Sequence, residues 1–203
     1  MDLKKTVEKL TTGDDLKLVA LGDSLTHGWM VERGYLNFLR EKIAGNFPRS
    51  IMKIINRGIP GDTADGGLCR LKEHVLDSVP DLVFVQFGLN DAFSGCPVAQ
   101  YRRNIEGIID GIVAKSSAEI LLMTSVALDG RDKELAYSYY DCLQSVAAQR
   151  SIPIVTVHEY WERRMAEGVL FESLVQVDRV HPTEDGYRLM AEAIVEVLCR
   201  ESV

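Results

Sequence analysis

A three-layer α/β/α sandwich built on five parallel strands is the fold this sequence predicts, on three observations. Short β-branched apolar runs recur along the 203 residues, segments with a 3.6-residue apolar period lie between them, and no repeat, linker or composition shift breaks the alternation. Runs that stay apolar instead of alternating suit strands buried on both faces, with the intervening helices as cover. Strand–helix alternation of that kind pairs strands in parallel through right-handed crossovers.

Taken in order, residues 1–16 read as an N-terminal extension of a single domain spanning 1–203, and the segment suits either a docking helix or a frayed tail. Strands are expected at Lys17–Gly22, Ile51–Asn56, Asp81–Gly88, Glu119–Val126 and Pro153–His158. The closing helix has the clearest pattern: Tyr187, Met190, Ala191, Ile194, Val195 and Leu198 fall at i, i+3, i+4, i+7, i+8 and i+11. Thr183 can cap it, and Glu184 and Asp185 lie in the first turn, where the helix dipole favours anions.

Composition narrows the function classes. With 46% hydrophobic and 26% charged residues the chain is globular, which excludes disorder, collagen and coiled coil. A domain of this length buries roughly 70–75% of its unfolded surface, so it needs no disulfide or metal to hold it together. Thirty acidic against 23 basic residues give a net charge of −7, so neither nucleic acid nor an anionic membrane is an expected partner. Apolar runs such as Ile120–Met123 fall far short of the ~18 residues of a membrane span. The opening MDLKKTVEKLTTGDD lacks the apolar core and cleavage site of a secretory signal. Cys69, Cys96, Cys142 and Cys199 are widely spaced with no Cys-x-x-Cys pair, and read as reduced thiols; the expected location is the cytoplasm.

In a parallel sheet, ligands bind beyond the carboxyl ends of the strands, so the loops there carry the candidate chemistry. After the first strand comes Gly22-Asp23-Ser24-Leu25-Thr26, where Ser24 is either a nucleophile on a strand-to-helix turn or a plain helix cap. Thr26 stands where a Gly-x-Ser-x-Gly elbow has its second glycine, which argues against an α/β-hydrolase. After the second comes Asn56-Arg57-Gly58-Ile59-Pro60-Gly61-Asp62-Thr63, a tight turn in which Gly61 can bring its N–H close to a ligand. After the third comes Gly88-Leu89-Asn90-Asp91, where Asn90 either bonds the turn or aims a neutral donor at a developing oxyanion. After the fifth comes Asp178-Arg179-Val180-His181-Pro182, either a surface loop or an Asp that orients a His as general base. Together these groups supply every part of an acyl-transfer site.

The same four stretches, in the same order and at ordinary spacing over nearly the whole chain, resemble the sequence blocks of the SGNH (GDSL-type) esterase/lipase family. The resemblance implies a flavodoxin-like sheet in the order 2-1-3-4-5 and ester hydrolysis with no metal and no cofactor. Carried over by position, it implies Ser24 as nucleophile, His181 as base and Asp178 as its orienter. The oxyanion hole would comprise the Ser24 and Gly61 N–H groups and the Asn90 side chain. Leu89, where many members have a small or polar residue, is expected to narrow the acyl pocket. Thr183 follows His-Pro where asparagine is frequent.

The reading is therefore a serine esterase acting on small acetyl or short-acyl esters, a small molecule being its partner and a homo-oligomer left open. The chain has no hydrophobic lid, which favours small soluble esters over long-chain lipids. Two other classes compete: a metal-dependent phosphoesterase drawing on Asp23, Asn90, Asp91, Asp178 and His181, and a catalytically silent carbohydrate- or acyl-binding module. The first lacks histidines at metal-site spacing, and the second has no use for an intact Ser24, Asp178 and His181. Of the other histidines, His27 and His74 are expected on the surface, and His158 at the end of the fifth strand. Asp23 is expected to bond loop backbone. Trp29, Leu128, Trp161 and Phe171 are candidates for a substrate wall, though large apolar residues are more often core.

Overall fold

A computed structural model describes residues 2–200; residues 1 and 201–203 of the expected domain lie outside the described residues. The apolar runs become β1 (Asp15–Gly22), β2 (Ile51–Gly58), β3 (Leu82–Gln86), β4 (Glu119–Met123) and β5 (Ile154–Val155). They form one parallel sheet in the order β2-β1-β3-β4-β5, with Leu18 of β1 flanked by Ile54 and Leu82. Because strand side chains alternate between faces, Leu18, Ala20, Phe84 and Leu121 enter one core and Val19, Leu21, Val85 and Leu122 the other.

Helices cover both faces. They are α1 (Lys4–Thr12), α2 (Ser24–His27), α3 (Tyr35–Asn46), α4 (Ala64–Cys69), α5 (Leu71–His74), α6 (Leu89–Phe93), α7 (Val98–Lys115), α8 (Lys133–Arg150), α9 (Val157–Ala166), α10 (Phe171–Leu174) and α11 (Glu184–Arg200). Residues of α3, α9 and α11 fill the first core, those of α4, α5 and α7 the second, and α8 contributes to both through Tyr140 and Tyr139. The periodic face of α11 is buried as its spacing requires. Truncating a fully buried residue there, such as Ile194→Ala, should cost about 2–5 kcal/mol.

Two expectations are corrected, and a third, left open between docking helix and tail, is decided. First, the fifth strand is only two residues long. The chain turns into α9 at Val157, so His158 lies in a helix, where it is buried with Nδ1 2.8 Å from Thr124 Oγ1. Second, β2 is an edge strand and only half-buried, with Ile51 exposed, so its apolar run is not covered on both faces. Third, the segment before β1 is a docked helix. Leu3 and Leu10 are buried, and the buried Glu119 carboxylate accepts from the N–H groups of Lys5 (2.9 Å) and Thr6 (2.8 Å), capping the start of α1. The four cysteines are free thiols.

Candidate active site

The turn after β1 is forced by close packing. A Cβ on Gly22 would lie 2.2 Å from Thr26 Oγ1 and 2.8 Å from the Gln86 carbonyl oxygen, so only glycine lets β1 end against β3 here. Asp23, not Ser24, caps α2: its carboxylate accepts from the Leu25 N–H at 2.9 Å. Ser24 is thereby left as the first residue of α2, freed from capping and 6% exposed.

The His181 loop is a closed turn. The Arg179 N–H donates to the Gln176 carbonyl at 2.9 Å, the Gln176 N–H to the His181 carbonyl at 2.7 Å, and Val175 and Pro182 form an antiparallel bridge. Arg179 at its tip takes a left-handed φ of 59°. With the chain so folded, Asp178 Oδ1 accepts from the N–H groups of Val180 (3.0 Å) and His181 (2.9 Å), while Oδ2 lies 2.6 Å from His181 Nδ1. His181 Nε2 is 3.0 Å from Ser24 Oγ. Partial burial alone would raise the Asp178 carboxyl, but the Val180 N–H, the His181 ring and the His181 N–H together hold it below the usual carboxylate range. Gln176 Nε2 donates to the carbonyls of Trp29 (3.0 Å) and Pro182 (2.8 Å), tying this loop to the segment after α2. The Trp29 ring lies 6.2 Å from that of His181, so of the four large apolar candidates it stands beside the site. Leu128 packs in the core but also lines the cleft beside Asp178, Trp161 is core, and Phe171 packs against the core beneath the Arg179 guanidinium.

The third group comes from β2 and β3. Gly61 has φ 80°, and Asn90, at the start of α6, donates from Nδ2 to the Asp62 carbonyl at 2.8 Å. That bond uses one of the two Asn90 N–H groups. Among the described residues the main-chain N–H groups of Ser24 and Gly61 have no hydrogen-bond partner. A cavity of about 200 Å³ is lined by Ser24, Asn90 and His181 together with the apolar Leu25, Leu89, Phe93 and Val180; Gly61 is not in its wall. Across the ridge formed by Asp178 and Val180 lies a larger cleft of about 410 Å³, bordered by the charged Asp129, Arg131, Asp132 and Arg179 and by Leu128.

Beneath the site lies a buried polar layer that sequence reasoning resolved only in part. Asp23 is fully buried as a backbone-bonding carboxylate, and also accepts from Gln86 Nε2 at 3.3 Å. Burial pushes its pKa up to about 7 against the opposing bonds from Leu25 and Gln86. Asp91, equally buried, accepts from the Ala64 N–H at 3.1 Å, and burial raises its pKa to about 6. Sequence reading passed over both Gln86 and Arg70: the polar residue inside the apolar run DLVFVQFG is a signal that could have found the first, whereas nothing in the spacing of the helical stretch marks the second. His27 is exposed as expected, but His74 is half-buried with Nδ1 3.1 Å from Arg70 Nη1. Among the described residues no three His, Cys, Asp or Glu side chains converge as metal ligands would.

The sequence pattern of the GDSL-like lipase/acylhydrolase family matches residues 20–189. This chain belongs to that family. GDSL members are serine hydrolases of ester bonds, and the chain is one. An arylesterase of Vibrio mimicus is 24% identical over 186 residues, covering 91% of this chain and 88% of its own. A lipase/acylhydrolase structure from Enterococcus faecalis superposes with a TM-score of 0.76 at 28% identity, covering 91% of this chain and 96% of that one. An acetylxylan esterase structure from Geobacillus stearothermophilus gives a TM-score of 0.80 at 20% identity, covering 90% and 94%, and shares the fold.

Proposed function

We propose that this GDSL family member hydrolyses small acetyl or short-acyl esters through an acyl-enzyme, with Ser24 as nucleophile, His181 as general base and Asp178 as the orienter of its imidazole. The observation that carries the reading is the unbroken relay from Asp178 Oδ2 to His181 Nδ1 (2.6 Å) and from His181 Nε2 to Ser24 Oγ (3.0 Å). Ser24 Oγ attacks the ester carbonyl carbon while Nε2 takes the hydroxyl proton, and the carbonyl electron pair moves onto oxygen. The Ser24 and Gly61 N–H groups and the second Asn90 N–H stabilise that oxyanion. As the tetrahedral species collapses, the C–O bond to the alcohol breaks and His181 returns the proton to the leaving oxygen. Water then repeats the sequence on the acyl-serine and releases the acid.

The small apolar cavity beside Ser24, lined by Leu89 and Phe93, supports a short acyl group, and the charged residues around the cleft beyond Asp178 support a hydrophilic alcohol. The test is hydrolysis of 4-nitrophenyl esters from acetate to palmitate by the wild type and Ser24→Ala. Rates that peak at two to four acyl carbons and vanish in Ser24→Ala are expected. Rates climbing steadily to palmitate would refute the short-acyl reading, and turnover persisting in Ser24→Ala would refute the nucleophile.

A further inference from the structure

Arg70 lies between α4 and α5, away from the relay, yet three of its N–H groups donate to Asp62, Arg57 and Gly22, on the turns that carry the proposed oxyanion donors or beside them. Nε donates to Asp62 Oδ2 at 2.8 Å, and Nη2 lies 2.7 Å from the same oxygen. Nη2 also donates to the Gly22 carbonyl at 3.0 Å, and Nη1 to the Arg57 carbonyl at 2.8 Å. The second Nη1 N–H meets His74 Nδ1 at 3.1 Å, which must accept because a guanidinium only donates. The pair is largely sealed from water, with the Arg70 and Asp62 side chains 12% and 14% exposed.

The acceptors span the site. Gly22 is two residues before Ser24, Arg57 is at the end of β2, and Asp62 follows Gly61 directly. The Asp62 carbonyl is in turn the acceptor that fixes Asn90. One rigid, planar cation therefore joins the nucleophile turn to the loop of Gly61, and the Asp62 carbonyl joins that loop to Asn90. A fan of this kind suits arginine alone, since a lysine ammonium offers three donors from one point and cannot reach acceptors spread along a fork.

We infer that Arg70 is a positioning residue for the oxyanion hole, setting the spacing between the Ser24 N–H, the Gly61 N–H and the Asn90 amide. The inference rests on the proposed oxyanion hole. An oxyanion donor acts mainly in the transition state, so loosening its frame should lower kcat and leave KM nearly unchanged. A purely structural arginine would lower the melting temperature without moving the chemistry of the folded protein.

The experiment compares Arg70→Lys, Asp62→Asn and Asn90→Ala with the wild type on 4-nitrophenyl acetate, well below each melting temperature. The affinity of each for an alkylboronic acid, whose serine adduct mimics the tetrahedral anion, is measured alongside. Arg70→Lys is expected to lose about 10- to 100-fold in kcat, with KM within about two-fold and boronate affinity falling by the same factor as kcat. Asp62→Asn, which keeps the side-chain shape but removes the charge Arg70 holds, should show the same signature more weakly and carries the test if Arg70→Lys does not fold. Folded variants of Arg70 and Asp62 with kcat and boronate affinity within two-fold of wild type, beside an impaired Asn90→Ala, would overturn the role of Arg70. An Asn90→Ala enzyme of full activity would instead overturn the oxyanion hole on which it rests.

Discussion

His181 and Asp178 stand on a half-exposed turn braced by the surface pairs of Arg179 with Asp129 and Glu172, whereas Asn90 and the loop of Gly61 rest on buried polar side chains. Below the second region, Asp23 and Asp91 are shut away from water and Arg70 is nearly so. The Asp–His half of the proposed proton relay is thus made of groups that lie within three residues of one another, and only Ser24 comes from a distant turn. The anion-stabilising region is made of backbone whose shape depends on side chains from three separate strands' ends. A local turn can present an acid–base pair on its own, but free N–H groups converge on one point only if distant loops are locked together.

The contrast can be broken, first, at the relay. Ser24→Ala or His181→Ala should each lower kcat by on the order of 10⁴–10⁶ while leaving the melting temperature nearly unchanged. A large loss of stability in His181→Ala would mean that its turn is part of the framework and not an appendage to it. Asn90→Ala should cost roughly 10²–10³ in kcat, and also some stability, because it removes the bond to the Asp62 carbonyl. Unchanged kcat in a folded Asn90→Ala protein would remove Asn90 from the chemistry.

Asp23 sharpens the comparison through pH. Its folded-state pKa, near 7, is above the ordinary carboxylate value of the unfolded chain. The folded protein therefore holds a proton that the unfolded chain releases. This stabilisation is full below about pH 4 and is lost as the pH rises through about 7. Denaturant titrations from pH 4 to 8 should show stability falling with pH. In Asp23→Asn that fall should shrink by about 2–4 kcal/mol. An identical pH slope in the two proteins would mean that Asp23 is not the group that holds the proton. The smallest effect belongs to the surface brace. Arg179→Ala should lower kcat/KM by no more than about five-fold, and 0.5 M salt should narrow the gap, since exposed ion pairs are weak and screened.

The same contrast explains what could be read from the sequence. The relay was legible because its logic is local: an Asp and a His three apart before a proline, and a serine at the end of an apolar run. The sheet and the face of α11 were legible because burial imposes a period on the residues. Arg70 was not, because a half-buried arginine between two short helices is indistinguishable in sequence from one on a solvated face, and two of its acceptors are carbonyls that every residue has. The fifth strand was overextended for a related reason. Val157 and His158 suit an inward-facing helix turn as well as a strand, and only the docking of α9 decides between them. The docking of α1 likewise depends on Glu119, more than a hundred residues away.

The most direct test of the central claim is covalent. Intact protein treated with a 4-nitrophenyl alkylphosphonate should gain the mass of one phosphonyl group, mapped to the peptide that contains Ser24, with loss of esterase activity in proportion. Ser24→Ala should gain none. Labelling that persists in Ser24→Ala, or full labelling of Ser24 that leaves esterase activity intact, would contradict the assignment of Ser24 as the nucleophile.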